Sequence, residues 1–192
     1  MNERGQTLLE TLTVLGLAFG GLGWAIPGLH AYFQEAELRG AAMVFQADFR
    51  HARSKAIRGN VQTAIRFEQD SDGTWDYSVY VDGDHDGVRS RDIDRGIDAR
   101  IAGPHLLRSG APGVRIGIRP GVSKIPPQRG TLDPGDPIRF GRSNMVSFSP
   151  FGTASPGTLY LAGQYLQGAV RVTGTTARVR TLVWRGEGWS DR

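Results

Sequence analysis

The sequence predicts an α+β chain, one long amino-terminal helix followed by an antiparallel, β-sandwich-like domain. Three observations carry this. From Leu8 to Phe33 the chain is largely apolar, with Glu10 as its one formally charged side chain. Apolar residues then keep a helical spacing as far as Ile57. Beyond Gly59 the pattern changes to short alternating runs separated by Gly, Pro, Asn and Asp, as strands and turns require.

The helix comes first in the chain. Its opening part, 6–29, is long enough to span a bilayer, which takes about 20 mostly apolar residues. A secretory signal peptide is the rival: Leu12–Ile26 could pass as its apolar core, but the whole run is too long and no small-x-small cleavage site follows it. Pro27 lacks an N–H and its ring crowds the preceding turn, so it should kink the helix. Gly16 and Gly20 form a small-xxx-small pair, a close-packing face or simply a tolerant side of an anchor. From 30 to 60 the helix turns amphipathic. Leu38, Ala41, Ala42, Phe45, Phe49, Ala52, Ala56 and Ile57 line one face, with Glu35, Glu37, Arg39, Asp48, Arg50, Arg53 and Lys55 elsewhere. Gly59-Asn60 is a helix stop. Glu10 is the anomaly, because a carboxylate deep in a bilayer costs about 2.5–3.5 kcal/mol even on the mildest insertion scale. It needs either a cationic partner or a route to the membrane surface by snorkelling.

The β-domain, 61–192, follows. "VQTAIRFE" and "WDYSVYVD" alternate apolar and polar residues, as half-buried strands do. "GVRIGIRP", "MVSFSP", "TLYLAG", "AVRVTG" and "RVRTLVW" do likewise. The expected arrangement is two packed sheets. With no cysteine in the chain, disulfides, thiolate metal sites and a Cys nucleophile are excluded.

At the start of the chain Arg4-Gly5 is followed by Gln6-Thr7-Leu8-Leu9-Glu10. This stretch resembles the processing site of type IV prepilins and pseudopilins. In that class a short leader ending in Gly is removed by prepilin peptidase, the new terminal amine is methylated, and the fifth mature residue is Glu. The resemblance makes 1–5 the leader, Gly5 and Gln6 the cleavage and N-methylation site, Glu10 the fifth mature residue and Pro27 the position of a helix-kinking proline. Gln6 departs from the usual Phe or Met. Within such filaments the Glu is held to pair with the terminal amine of a neighbouring subunit. "AAMVFQADFRHARSKAIRGN" further resembles the helix of the GspH/FimT family of minor pseudopilins, and "VSFSPFGTASPGTLYLAG" and "AVRVTGTTARVRTLVW" resemble its late strands. The middle, about Asp70 to Arg142, is unmatched in detail. The family implies a helix capped by a small β-sandwich, placed in a type II secretion pseudopilus or a type IV pilus.

Two other stretches carry chemistry. "DGDHDGVRSRD" spaces Asp82, Asp84 and Asp86 as in a calcium loop, where alternate carboxylates converge on a hard cation such as Ca2+. Its twelfth position is Ile93 instead of an acid, and Arg89 and Arg91 dilute the negative field. The competing reading is a solvated acidic turn. Ile101 to Arg142 carries seven Lys or Arg side chains against two acids, a net charge above the +4 of the whole chain. Arg178 and Arg180, two apart in a strand, should project together. Some FimT-type members are DNA receptors that use a Gly-Arg-x-Arg element; "ARVR" keeps both arginines and has Ala177 in place of the Gly. Arginine pairs suit phosphates, and they equally suit a solubilised sheet face.

Catalysis finds no footing. His30, His51, His85 and His105 lack metal-ligand spacing, and no phosphate-cradling Gly-rich loop follows a strand. The expectation is a non-enzymatic minor pseudopilin, single-pass in the inner membrane with its β-domain in the periplasm. Its expected partners are prepilin peptidase and other pseudopilins or pilins. The alternative is a pilus-tip DNA receptor. A third possibility is a lone membrane-anchored sensor that would keep residues 1–5.

Overall fold

The computed structural model describes residues 8–106 and 113–191; within the first helix the side chains of 18–31 lie outside the description. Helix α1 (Leu8–Gly59) runs unbroken through position 27, so Pro27 does not end it. It stops where the sequence expects. Asn60 takes φ 49°, the left-handed conformation that Asn tolerates, and the Val61 N–H donates back to the Ala56 carbonyl at 3.2 Å. Among the described residues no helix is long and apolar enough to cross a membrane. Most of the expected span lies in 18–31, outside the described side chains.

Two antiparallel sheets follow. The first runs in the order β3 (Ala99–Leu106), β2 (Trp75–Val81), β1 (Thr63–Gln69), β6 (Met145–Phe148). The second runs β10 (Trp189–Asp191), β9 (Val179–Trp184), β8 (Gln167–Val172), β7 (Gly157–Ala162), β4 (Arg115–Ile116). The short β5 (Ile138–Arg139) pairs with the other end of β7, opposite Leu159 and Thr158. The alternating runs of the sequence become β1, β2, β4 and β6 to β9. The structure adds β3, β5, β10 and a short helix α2 (Ser90–Asp94). Strand β3 shifts register against β2 between Tyr77 and Val79. There Gly103, at φ +95°, approaches so closely that a Cβ would lie 2.8 Å from the Tyr77 carbonyl oxygen.

The amphipathic half of α1 lies against both sheets. Leu38, Phe45, Phe49 and Ala56 are buried with Ile65, Phe67, Val146 and Phe148 of the first sheet and Leu159, Leu161, Val170 and Val183 of the second. Phe49 meets Phe140 edge-on at 6.0 Å and Phe148 at 6.1 Å. Each sheet also has an outer cover. Ile118, Val122, Ile125 and Leu132 close over Tyr160 and Ala169 of the second sheet. Val88 and the half-buried Ile93 cover Ala64, Tyr80 and Met145 of the first. This is why β7 and β8 are buried almost throughout, where the sequence predicts half-buried strands.

Candidate functional site

Gly5 and Gln6, the expected processing site, lie outside the described residues. Glu10 sits in the first described turn of α1, beside a hydrogen bond from Thr13 Oγ1 to the Leu9 carbonyl at 2.7 Å. That stretch is exposed: Leu8, Leu9, Leu12 and Leu17 are 60–81% accessible. Glu10 is exposed with them. Among the described side chains, the β-domain engages α1 further along. Gln34 bonds Gln164 at 2.7 Å, and Glu35 accepts from Arg39 (2.5 Å) and from Arg185 of the β9–β10 turn (2.6 Å). The Arg39 hydrogen bond is the main cause that holds the Glu35 carboxyl below its ordinary range, with Arg185 adding to it against the cost of burial.

The aspartate loop follows β2. Carboxylate oxygens of Asp82, Asp84 and Asp86 come within 4.8 Å of one another. Asp82 is buried and already engaged. Its oxygens accept the backbone N–H of Asp84 (3.2 Å), His85 (2.8 Å) and Gly87 (2.9 Å). Asp98, which the sequence pattern did not single out, accepts from Gly83 at 3.1 Å and Arg89 at 2.9 Å. Asp86 pairs with Arg89 and, at 3.7 Å, with Arg91. A Cβ on Gly83 would lie 2.1 Å from the Ile97 carbonyl oxygen, so the close return of the chain requires glycine. Ile93 turns inward as an apolar anchor on the outer cover of the first sheet.

The arginine pair is positioned by the β8–β9 turn. Ala177 is buried at φ 47°, a left-handed conformation of the kind a Gly would favour. The turn is closed by the Thr173 N–H donating to the Arg178 carbonyl (3.0 Å) and by the Arg178 N–H donating to Thr173 Oγ1 (3.2 Å). Arg178 and Arg180 line one groove with Arg50 and Arg53 of α1, a volume of about 400 Å³. Asp191 of β10 pairs with Arg180, and Arg178 stays exposed. The sequence places Arg50 and Arg53 only on the polar side of the helix; their spacing of three sets them on one face, and the fold brings that face to the arginine pair. Within the basic stretch Ile101 to Arg142 two arginines have described partners. Arg119 bonds the Tyr165 carbonyl, Arg139 pairs with Asp136 at 3.1 Å, and Arg139 lines a separate hollow with Arg171. Arg108 lies outside the described residues.

No curated protein and no solved structure matches the chain. A family model described as "Type II transport protein GspH" matches residues 41–183. That span holds the buried half of α1, both sheets as far as Val183 of β9, and the turn that carries Arg178, so the chain belongs to the GspH family, a family of structural, membrane-associated pseudopilins of type II secretion.

Proposed function

We propose that this chain is a minor pseudopilin subunit that is cut after Gly5 by prepilin peptidase, methylated on Gln6, and assembled into a type II secretion pseudopilus through α1. The observation that carries the reading is the projecting start of α1. It bears a row of exposed leucines around one carboxylate, on a body matched by the GspH model. Residues 6–29 anchor the subunit in the inner membrane and the β-domain stands in the periplasm. In a low-dielectric medium an unpaired Glu10 is costly, and the amine of a neighbouring subunit offsets that cost, so docking is favoured and its register set. Mass spectrometry of the mature protein is expected to find methylated Gln6 at the amino terminus; an intact Met1–Gly5 would instead favour the lone sensor. Glu10→Ala is expected to insert normally and to be lost from the filament, read by shearing and immunoblotting. Incorporation at the wild-type level would sink the pairing.

The groove of Arg50, Arg53, Arg178 and Arg180 favours a second reading, a FimT-like DNA receptor. Four guanidinium groups around one hollow suit phosphates, and binding of that kind weakens steeply with salt. A gel shift on duplex DNA across a salt series, with an Arg178→Ala/Arg180→Ala double variant, decides it. Salt-sensitive binding lost in the variant supports uptake of DNA; no shift at low salt leaves the filament role alone. The aspartate loop has a structural role in that the Asp82 oxygens accept three backbone N–H groups, and we read it as a structural turn, with Ca2+ on the clustered carboxylates of Asp82, Asp84 and Asp86 as the alternative. Heat released on adding Ca2+ in calorimetry would reverse that.

A further inference from the structure

Phe151 is 92% exposed, yet it does not hang on a loose loop. It rides a tight turn between β6 and β7. The Ser149 N–H donates to the Thr153 carbonyl (2.9 Å), the Gly152 N–H to the Ser149 carbonyl (3.0 Å), and the Phe151 N–H to Ser149 Oγ (3.2 Å). Gly152, at φ +79°, places the turn against α1, where a Cβ would lie 3.4 Å from a terminal nitrogen of Arg53 and 3.8 Å from Ile57. Ile57 is itself 47% exposed. Arg53 links this apolar knob to the groove of Arg50, Arg178 and Arg180, and on its other side to a hollow lined by Arg50, Ile57 and Arg58. Its Nε is buried and has no hydrogen-bond partner among the described residues. An exposed aromatic on a fixed turn, whose neighbour Gly152 packs beside Arg53 and Ile57, has the make-up of a protein interface, where aromatics and Arg are enriched.

We propose that the surface of Phe151, Ile57, Arg50, Arg53 and Arg178 receives an acidic segment of another filament subunit that carries an apolar side chain against Phe151. Charge complementarity fixes the sign of the partner. Asp191 pairs with Arg180, and Arg178 stands exposed at the rim. A lipid surface is the poorer fit, because Arg50 lies roughly 30 Å along the helix from position 29 at 1.5 Å per residue. Nucleic acid, the second reading above, is the competing occupant of the arginine groove, and the crosslink decides between them. The proposal rests on the assembly reading only for the partner being a filament subunit.

The test uses the full chain in its host membrane with the other pseudopilins present. Phe151→p-benzoylphenylalanine is photolysed and the adducts are sequenced. The expected adduct joins position 151 to an Asp/Glu-rich segment of another subunit. Its yield is expected to fall about tenfold in Arg178→Glu, an exposed site whose reversal spares the core. Arg53→Glu, checked by thermal melting, should do the same. An adduct to DNA or lipid, no adduct, or a protein adduct indifferent to both reversals overturns the proposal. Glu10→Ala runs in parallel: if that variant assembles normally the pairing reading fails while the surface stands, and if assembly depends on Glu10 but no adduct forms, the surface alone fails.

Discussion

Gln167 shows how one residue can hold two segments together. It is fully buried on β8, accepts the Arg119 N–H at 2.8 Å, and donates to the carbonyls of Gly117 and Leu161 at 3.0 Å each. Gln167→Leu keeps the bulk and leaves the Arg119 and Gly117 backbone groups unpaired. The expected loss is about 2–4 kcal/mol, read from the denaturant midpoint of the full chain in detergent. Asp76 is the opposite case. Burial first, then the charges of Asp70 and Glu68, push its carboxyl above the ordinary range against the pull of Arg100. Glu68 stands directly across the strand pair, and one Asp76 oxygen is buried without a hydrogen-bond partner among the described residues. A raised carboxyl opposes folding while ionised, so its penalty is full above the folded value and vanishes below the unfolded one. Asp76→Asn is therefore expected to stabilise at neutral pH, by a few tenths to about 1 kcal/mol. The advantage should fade as pH falls into the carboxylate range; a gain that grows in acid would contradict this.

At the scale of elements, α1 is held to the sheets by aromatic packing in the middle and by an ionic clasp higher up. Phe49→Ala empties a fully buried site between Phe140 and Phe148 and is expected to cost about 3–5 kcal/mol. The clasp is Glu35 with Arg39 and Arg185. Because the folded Glu35 carboxyl is lowered, its contribution is present above the unfolded value and is lost as pH falls through the folded one. Hydrogen exchange should thus show residues near Glu35 loosening in acid before those near Phe49. Uniform protection down to the point of global unfolding would deny the clasp its role. Tyr77 adds a third tie, donating its O–H to Asp48 of α1 at 2.7 Å. Burial raises that hydroxyl first and Asp48 adds to it, so the bond persists through neutral pH.

For the whole molecule, the division of labour along α1 is the central fact. Among the described side chains of α1 the buried face begins at Leu38, while those from Leu8 to Leu17 are exposed. A fragment starting at Gln34 is therefore expected to fold and to melt within about 4 °C of the full chain, a shift that corresponds to roughly 1 kcal/mol at this size. The same fragment should fail to enter filaments. A fragment that does not fold would mean that the first half of α1 supports the body.

Much of this was legible in the sequence because it depends on local rules. The 3.6-residue spacing of Leu38, Phe45, Phe49 and Ala56 named the buried face of α1, Gly59-Asn60 named its end, and period-two runs named most long strands. The exception among them is β3, whose Gly-Pro and bulged register break the alternation. Other features had no local signal. The chain's return at Asp98, which braces the aspartate loop through the backbone N–H groups of Gly83 and Arg89, is one of them. The groove joins Arg50 and Arg53 to Arg178 across more than a hundred residues, and the Phe151 turn comes against Arg53 and Ile57, through Gly152, only once β6 and β7 are paired into their sheets. Periodicity tells which side of an element faces inward. Which elements then become neighbours is decided by burying those faces together, and the candidate surfaces of this protein exist only at those meetings.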